Sequence, residues 1–209
     1  MPPGTSPGPI GTSHRAPIDD GTLIRTDSPV PGPVGLNAGD RNITVVIKDW
    51  VPPAPRTTPE IVVGGATLAD VFDELNRLPE WGQAGGMLRT DRVPVGTSPT
   101  VTVHVHANLV FRLPRWTGYA HASAAAKAEW DQMFAKLRAH EQRHLDNAIE
   151  EADNLAAALN GEEIGRIAQL VTDANRTLHQ RQVQLDADTD HGAKSGVPFG
   201  DVILDTSIP

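Results

Sequence analysis

The feature that most constrains the fold is a long central stretch without proline or glycine. It runs from Ser123 to about Asn160, is rich in alanine, and is followed directly by Gly161. Alanine has the highest helix propensity, and a glycine just past such a stretch is a common helix stop. The sequence therefore predicts one long helix here.

A second helix is predicted from Glu162 to about Asp186, because its apolar residues recur at heptad-like spacing. Gly161 allows this helix to fold back on the first, which gives a helical hairpin. The apolar positions are Ile164, Ile167, Val171, Ala174, Leu178 and Leu185.

The chain before the hairpin shows strand patterns and one short helix. Residues 43–48 form a β-branched run, and residues 100–113 alternate apolar and polar side chains; residues 87–90 are a third candidate strand. The short helix starts at Thr67, a predicted N-cap with Asp70 three residues later, and stops before Pro79. We predict an α+β fold in which a small antiparallel sheet packs on the long two-helix hairpin.

Length and composition indicate one domain with extensions. Residues 1–40 are rich in proline and glycine and predict a disordered leader, residues 41–200 a single domain, and residues 201–209 a C-terminal tail. No stretch reaches the roughly 20 apolar residues of a membrane span, and the N-terminus lacks a secretory signal pattern. We expect secretion or export by a route without a classical signal peptide, with a cytoplasmic location as the alternative.

The net charge and the absence of cysteine exclude several classes of function. The formal net charge is -8 without a basic cluster, which argues against nucleic-acid binding. The chain has no cysteine, so a thiol nucleophile, a disulfide framework and a cysteine-ligated metal are excluded. Catalysis would rest on His, Asp, Glu, Ser, Thr or Tyr.

The middle of the long helix carries the pattern H-E-x-x-H as His140, Glu141 and His144. Two histidines four residues apart lie on one helix face and can bind one zinc ion. The glutamate between them suits a general base that takes a proton from water whose pKa zinc has lowered. The alternative is a chance match on a polar helix. However, the motif falls on the apolar stripe of the helix, where unpartnered polar side chains would be costly, and this favours a metal.

Zinc in such a site needs a third protein ligand. Glu162 and Glu163 would lie over roughly 25 Å from the motif at the far end of the hairpin, and we reject them. His179 is predicted to be nearly level with His144, and His191 follows the second helix in a glycine-containing loop. Geometry alone favours neither histidine.

Several other residues could have a functional role, but most of them also have an ordinary structural explanation. His104 and His106 share one strand face and could chelate a metal, but a solvated strand face is the more common case. Asp190 could orient an imidazole or cap a helix end with equal ease. Trp116 is better explained as a core residue than as part of a substrate cleft. Tyr119 is the single tyrosine and hence the single candidate for a catalytic one.

Several motifs together resemble a bacterial family described as secreted zinc-dependent proteases, once a domain of unknown function. They are the H-E-x-x-H helix, the preceding L-P-R-W at residues 113–116, the Trp130 to Phe134 spacing, and T-D-H-G at residues 189–192. The similarity covers roughly residues 43–196. The family pattern has Tyr-Asp shortly before T-D-H-G, whereas this chain has Leu185 followed by Asp186. If that tyrosine stabilises an oxyanion, catalysis here is weaker or uses another donor.

The resemblance implies His140, His144 and His191 as ligands of one zinc ion and Glu141 as general base. The expected function is that of a zinc metallopeptidase, an endopeptidase that acts on a peptide or protein substrate. Two alternatives stay open: a non-catalytic interaction module stabilised by zinc, and a delivered effector or cargo protein. The oligomeric state is not predicted.

Overall fold

The computed structural model describes residues 42–49, 61–93 and 100–208, and the predicted leader at residues 1–40 lies outside them. The strands are β1 (Asn42–Asp49), β2 (Ile61–Val63), β3 (Gln83–Val93), β4 (Thr100–Arg112) and β5 (Pro114–Trp116); the α-helices are α1 (Leu68–Leu75), α2 (Ala124–Leu159) and α3 (Ile167–Thr189). The predicted α+β fold is confirmed. None of the described helices combines the length and apolarity that crossing a bilayer requires.

The strands form a three-stranded sheet in the order β1-β4-β3 and a two-stranded sheet of β2 and β5. Pairing of β3 with β4 is antiparallel, as predicted, but β1 lies parallel to β4, so the larger sheet is mixed. Parallel neighbours need a long crossover connection, and residues 50–99 lie between these two strands. The small sheet of β2 and β5 was not among the predicted elements.

The helix α1 begins as its sequence predicts. Thr67 and Asp70 form a capping box, in which the Thr67 hydroxyl accepts from the Asp70 N–H and the Asp70 carboxylate accepts from the Thr67 N–H. Leu68, Val71 and Leu75 are buried on one face. The helix ends at Leu75 instead of Leu78, because Leu78 N–H donates to Leu75 in a tighter turn before Pro79.

The long hairpin is confirmed. Ser123 caps α2 by accepting from the Ala126 N–H, and Gly161 follows its end with a φ of 88°. The turn also contains a short 3-10 helix, Ile164–Arg166, so α3 starts later than predicted. Asn175 on α3 links the hairpin to the sheet. Its side-chain oxygen accepts a hydrogen bond from the Leu88 N–H at 2.9 Å, and its side-chain nitrogen donates to the Leu88 carbonyl at 2.8 Å.

The core consists of two apolar clusters that share α2. The first lies between α1, the small sheet and the N-terminal half of α2, and includes Trp130 and Leu137. The second lies between the large sheet, the C-terminal half of α2 and α3, and includes Leu145 and Ala148. The H-E-x-x-H motif therefore lies where the two clusters meet. Val202 of the C-terminal segment is also buried in the first cluster.

Candidate metal centre

The two motif histidines converge on an aspartate of the facing helix. His140, His144 and Asp186 each offer one donor atom, and these atoms lie within 4.8 Å of one another. Oδ1 of Asp186 is 3.0 Å from Nε2 of His144 and 3.6 Å from Nε2 of His140, and the two Nε2 atoms are 3.2 Å apart. Both histidines are buried and the aspartate is half-buried. Among the described residues, this group is the one that could hold a metal ion.

The spacing of these three atoms suits zinc. Tetrahedral zinc with nitrogen and oxygen ligands at about 2.0 to 2.1 Å separates neighbouring ligand atoms by about 3.3 to 3.4 Å. The three observed separations, 3.0, 3.2 and 3.6 Å, bracket that value. Two imidazoles and one carboxylate form a donor set that zinc accepts in proteins. The residues present therefore fit a zinc ion.

The far side of each imidazole ring faces a hydrogen-bond acceptor. Nδ1 of His140 lies 3.1 Å from the main-chain carbonyl of Phe199, and Nδ1 of His144 bonds Oε1 of Gln182. These acceptors favour a proton on each Nδ1, so in the neutral rings the Nε2 atoms carry lone pairs. The two lone pairs and a carboxylate oxygen converge on one point, which is unfavourable without a cation there.

The charges of the group depend on one another. Burial alone would raise the pKa of Asp186, but hydrogen bonds with His140 and His144 hold that pKa well below its usual range. Burial would lower the pKa of His144, yet its contacts with Asp186 and Gln182 raise it above its ordinary value. Asp186 is therefore ionised, and its negative charge favours a cation between the three side chains.

Glu141 lies beside the group with its side chain only 6 % exposed. Burial raises its pKa from 4.5 to about 7; His144 and His140 oppose this effect, and Glu80 and Asp186 add to it. Its carboxylate packs against Gly82, where a Cβ atom would come within 2.6 Å of Glu141 Oε1. Gly82 thus gives the carboxylate the room it occupies. A buried carboxyl group with a pKa near neutrality has the property of a general acid or base.

His191 lies next to the group of His140, His144 and Asp186 but is not one of its members. Its side chain is 54 % exposed, and its Nδ1 lies 3.8 Å from Oδ1 of Asp186. It lies in the turn after α3, where Asp190 and His191 both have positive φ. The assignment of His191 as a ligand stays a prediction, and Asp186 is the third donor that the structure supplies.

The T-D-H-G segment forms the turn that ends α3. Thr189 Oγ1 donates to the Leu185 carbonyl at 2.7 Å and accepts from the Gly192 N–H at 3.1 Å. Asp190 is the left-handed C-cap of the helix, which is one of the two roles that the sequence left open for it. The turn returns the chain over His140, where the Phe199 carbonyl meets the ring.

The remaining candidates lie elsewhere. His179 is exposed on α3, and Glu162 and Glu163 lie in the turn of the hairpin. His106 pairs with Asp91 at 3.0 Å and stacks on His104. Trp116 is buried in the core, as predicted.

The single tyrosine is not part of the group. Tyr119 donates its hydroxyl hydrogen to Asp131 at 2.8 Å, and this bond raises the pKa of the tyrosine. Asp131 precedes Glu141 by ten residues on α2, about 15 Å along the helix axis.

Sequence reasoning did not identify Asp186 as a candidate metal ligand, although the signal was present. This aspartate follows Leu185 at the position where the resembled pattern also has an aspartate. Its place opposite the motif depends on the register of two helices, which the 3-10 turn at Ile164–Arg166 shifts. His144 contacts Gln182 instead of His179, and Asp186, one turn further along α3, lies close to both His144 and His140.

Fold and site together define an α+β domain with a candidate metal centre inside a helical hairpin. Residues 61–192, more than half of the chain, match the family described as "Bacterial protein of unknown function (DUF922)", and the chain belongs to that family. The matched segment includes the motif, Asp186 and the T-D-H-G turn. No curated protein and no solved structure matches the chain.

Proposed function

We propose that this protein is a zinc-dependent peptidase in which His140, His144 and Asp186 hold the metal. The observation that carries the proposal is the convergence of three donor atoms at separations of 3.0 to 3.6 Å directly beside the buried carboxyl group of Glu141. Zinc with three protein ligands and an open position is typical of catalytic sites.

In this mechanism the protein supplies the ligands that hold the metal and Glu141 as the general base. A bound zinc ion would act as a Lewis acid and lower the pKa of water at its open position. Glu141 then accepts a proton from the attacking water on its carboxylate and donates it to the leaving amine when the peptide bond breaks. Its burial directly beside the metal group places the carboxyl group where it can take part in both proton transfers.

The same metal group could instead serve a structural role. Phe199 of the C-terminal segment bonds His140, so a metal at this point would also tie that segment to the hairpin. A structural zinc site has no use for Glu141, whereas catalysis requires it. The two functions therefore differ in their dependence on a single side chain.

The test compares zinc content and casein hydrolysis in the wild type, Glu141→Gln and Glu163→Gln. Glu163 is an exposed carboxylate in the hairpin turn and serves as the matched control. We expect about one zinc per chain in all three proteins. Hydrolysis should fall at least about a hundredfold in Glu141→Gln and stay unchanged in Glu163→Gln.

Two results would contradict the proposal. A wild-type protein that holds zinc but cleaves no peptide substrate would favour the structural role. Equal hydrolysis by the wild type and Glu141→Gln would remove Glu141 from the mechanism.

A further inference from the structure

Gln182 contacts His144 through both ends of its side-chain amide. Its Oε1 atom bonds Nδ1 of the imidazole, and its Nε2 atom donates to the main-chain carbonyl of the same histidine at 2.9 Å. A main-chain carbonyl can only accept, so Nε2 must be the end that faces it. This fixes the amide orientation and leaves Oε1 as an acceptor for a hydrogen on Nδ1.

Gln182 also stands in register with the metal group. It precedes Asp186 by one helical turn on α3, and His140 precedes His144 by one turn on α2. Across the hairpin, Gln182 bonds to His144, and Oδ1 of Asp186 lies 3.0 Å from Nε2 of His144 and 3.6 Å from Nε2 of His140. On α3, the candidate ligand Asp186 thus lies one turn from Gln182, which contacts the imidazole ring of His144.

We propose that Gln182 is a positioning residue of the metal centre, which holds His144 with its hydrogen on Nδ1 and directs Nε2 to the metal. The proposal rests on the metal centre described under Proposed function, but not on its peptidase activity. A partner that fixes the far nitrogen of a ligating histidine typically contributes 10- to 100-fold to metal affinity.

The competing explanation is that Gln182 only fastens α3 to α2. Two variants separate the explanations. Gln182→Leu removes both hydrogen bonds, whereas Gln182→Glu keeps an acceptor for Nδ1 and loses the donor to the main-chain carbonyl. Gln184→Leu is the matched control, because Gln184 lies two residues further on α3 and donates to Asp188 of the same helix at 2.7 Å.

The first measurement is zinc affinity by competition with a chelator, with circular dichroism to confirm folding. We expect Gln182→Leu to bind zinc about 10- to 100-fold more weakly than wild type. The zinc affinities of Gln182→Glu and Gln184→Leu should be no more than about threefold below that of wild type. If Gln182→Glu is as weak as Gln182→Leu, the bond to the main chain is what matters and the proposal is overturned.

The second measurement is proton NMR of the zinc-loaded protein, which shows imidazole N–H protons that exchange slowly. The signals expected in wild type include one from His140 bonded to Phe199 and one from His144 bonded to Gln182. Gln182→Leu should lose the His144 signal and keep the His140 signal, which is the internal control. Retention of both signals overturns the proposal. Wild-type protein that binds no zinc overturns the metal centre and this proposal together, whereas unaffected zinc binding in Gln182→Leu overturns this proposal alone.

Discussion

Asp186 meets His144 across the helical hairpin, with its Oδ1 atom 3.0 Å from Nε2 of the histidine. The two residues are 42 positions apart in the chain, and the register of α2 against α3 brings them together. Each helix also supplies a residue one turn away, His140 on α2 and Gln182 on α3. The hairpin therefore holds the candidate metal centre and also contributes residues to both apolar clusters of the core.

Gly192 is required by both its backbone and its surroundings. Its φ is 88°, and a Cβ atom there would come within 2.9 Å of Val202 Cγ2 and 3.5 Å of His140 Nδ1. We expect Gly192→Ala to lower the free energy of unfolding by about 2 to 3 kcal/mol. Urea denaturation measures the change.

Gly161 is the matched control for that substitution. It has the same φ of 88° but nothing within 4 Å of the position its Cβ would take. Gly161→Ala should therefore cost only the backbone strain, about 1 kcal/mol. Equal losses in the two variants would show that the packing of Gly192 against Val202 and His140 contributes nothing.

Gly82 tests the placement of Glu141. A methyl group at this position would lie 2.6 to 2.9 Å from three atoms of the Glu141 side chain, so that carboxyl group must move. We expect Gly82→Ala to keep its zinc but to lose at least about tenfold in casein hydrolysis, because small misplacement of a catalytic group is costly. Gly165→Ala is the control, since nothing lies within 4 Å of its added atom. Full activity in Gly82→Ala would argue that Glu141 has no defined position in catalysis.

The sequence was sufficient for the elements whose signals are local. The absence of proline and glycine between Ser123 and Asn160 predicted α2 to within a residue, and the Thr67 capping box predicted the start of α1. The placement of Glu141 and His144 on the buried side of α2 also followed from its apolar stripe. These features depend on neighbours within one or two helical turns.

Features that depend on distant pairing did not follow from the sequence. The parallel alignment of β1 with β4 is a tertiary choice, because the alternation of a strand does not specify the direction of its partner. Asp186 was missed because the hairpin register depends on the length of the turn around Ile164–Arg166. The Phe199 carbonyl has no side-chain signal at all, since any residue supplies one.

Glu150 gives the hairpin a contribution to stability that depends on pH. Arg181 of α3 and Arg143 of α2 both bond its carboxylate and lower its pKa. A lowered folded-state pKa means that the stabilisation is present above the unfolded value and is lost as pH falls through the folded one.

We therefore expect Glu150→Gln to be less stable than wild type at about pH 7, by under about 1 kcal/mol because the pair is half-exposed. The difference should shrink as pH falls from the unfolded-state pKa through the lowered folded-state one, because the carboxylate becomes protonated in the folded protein as well. Urea denaturation at neutral pH and at a series of lower pH values measures it, with Glu163→Gln as the control. A difference that is constant with pH would mean that charge is not its cause.

The most direct test of the metal centre is the zinc affinity of Asp186→Asn beside that of His191→Ala. The geometry predicts that Asp186→Asn loses at least about a hundredfold in affinity, because an anionic ligand is removed, and that His191→Ala stays within about threefold of wild type. The opposite result, tight zinc in Asp186→Asn and weak zinc in His191→Ala, would show that His191 is the third ligand and that Asp186 is not.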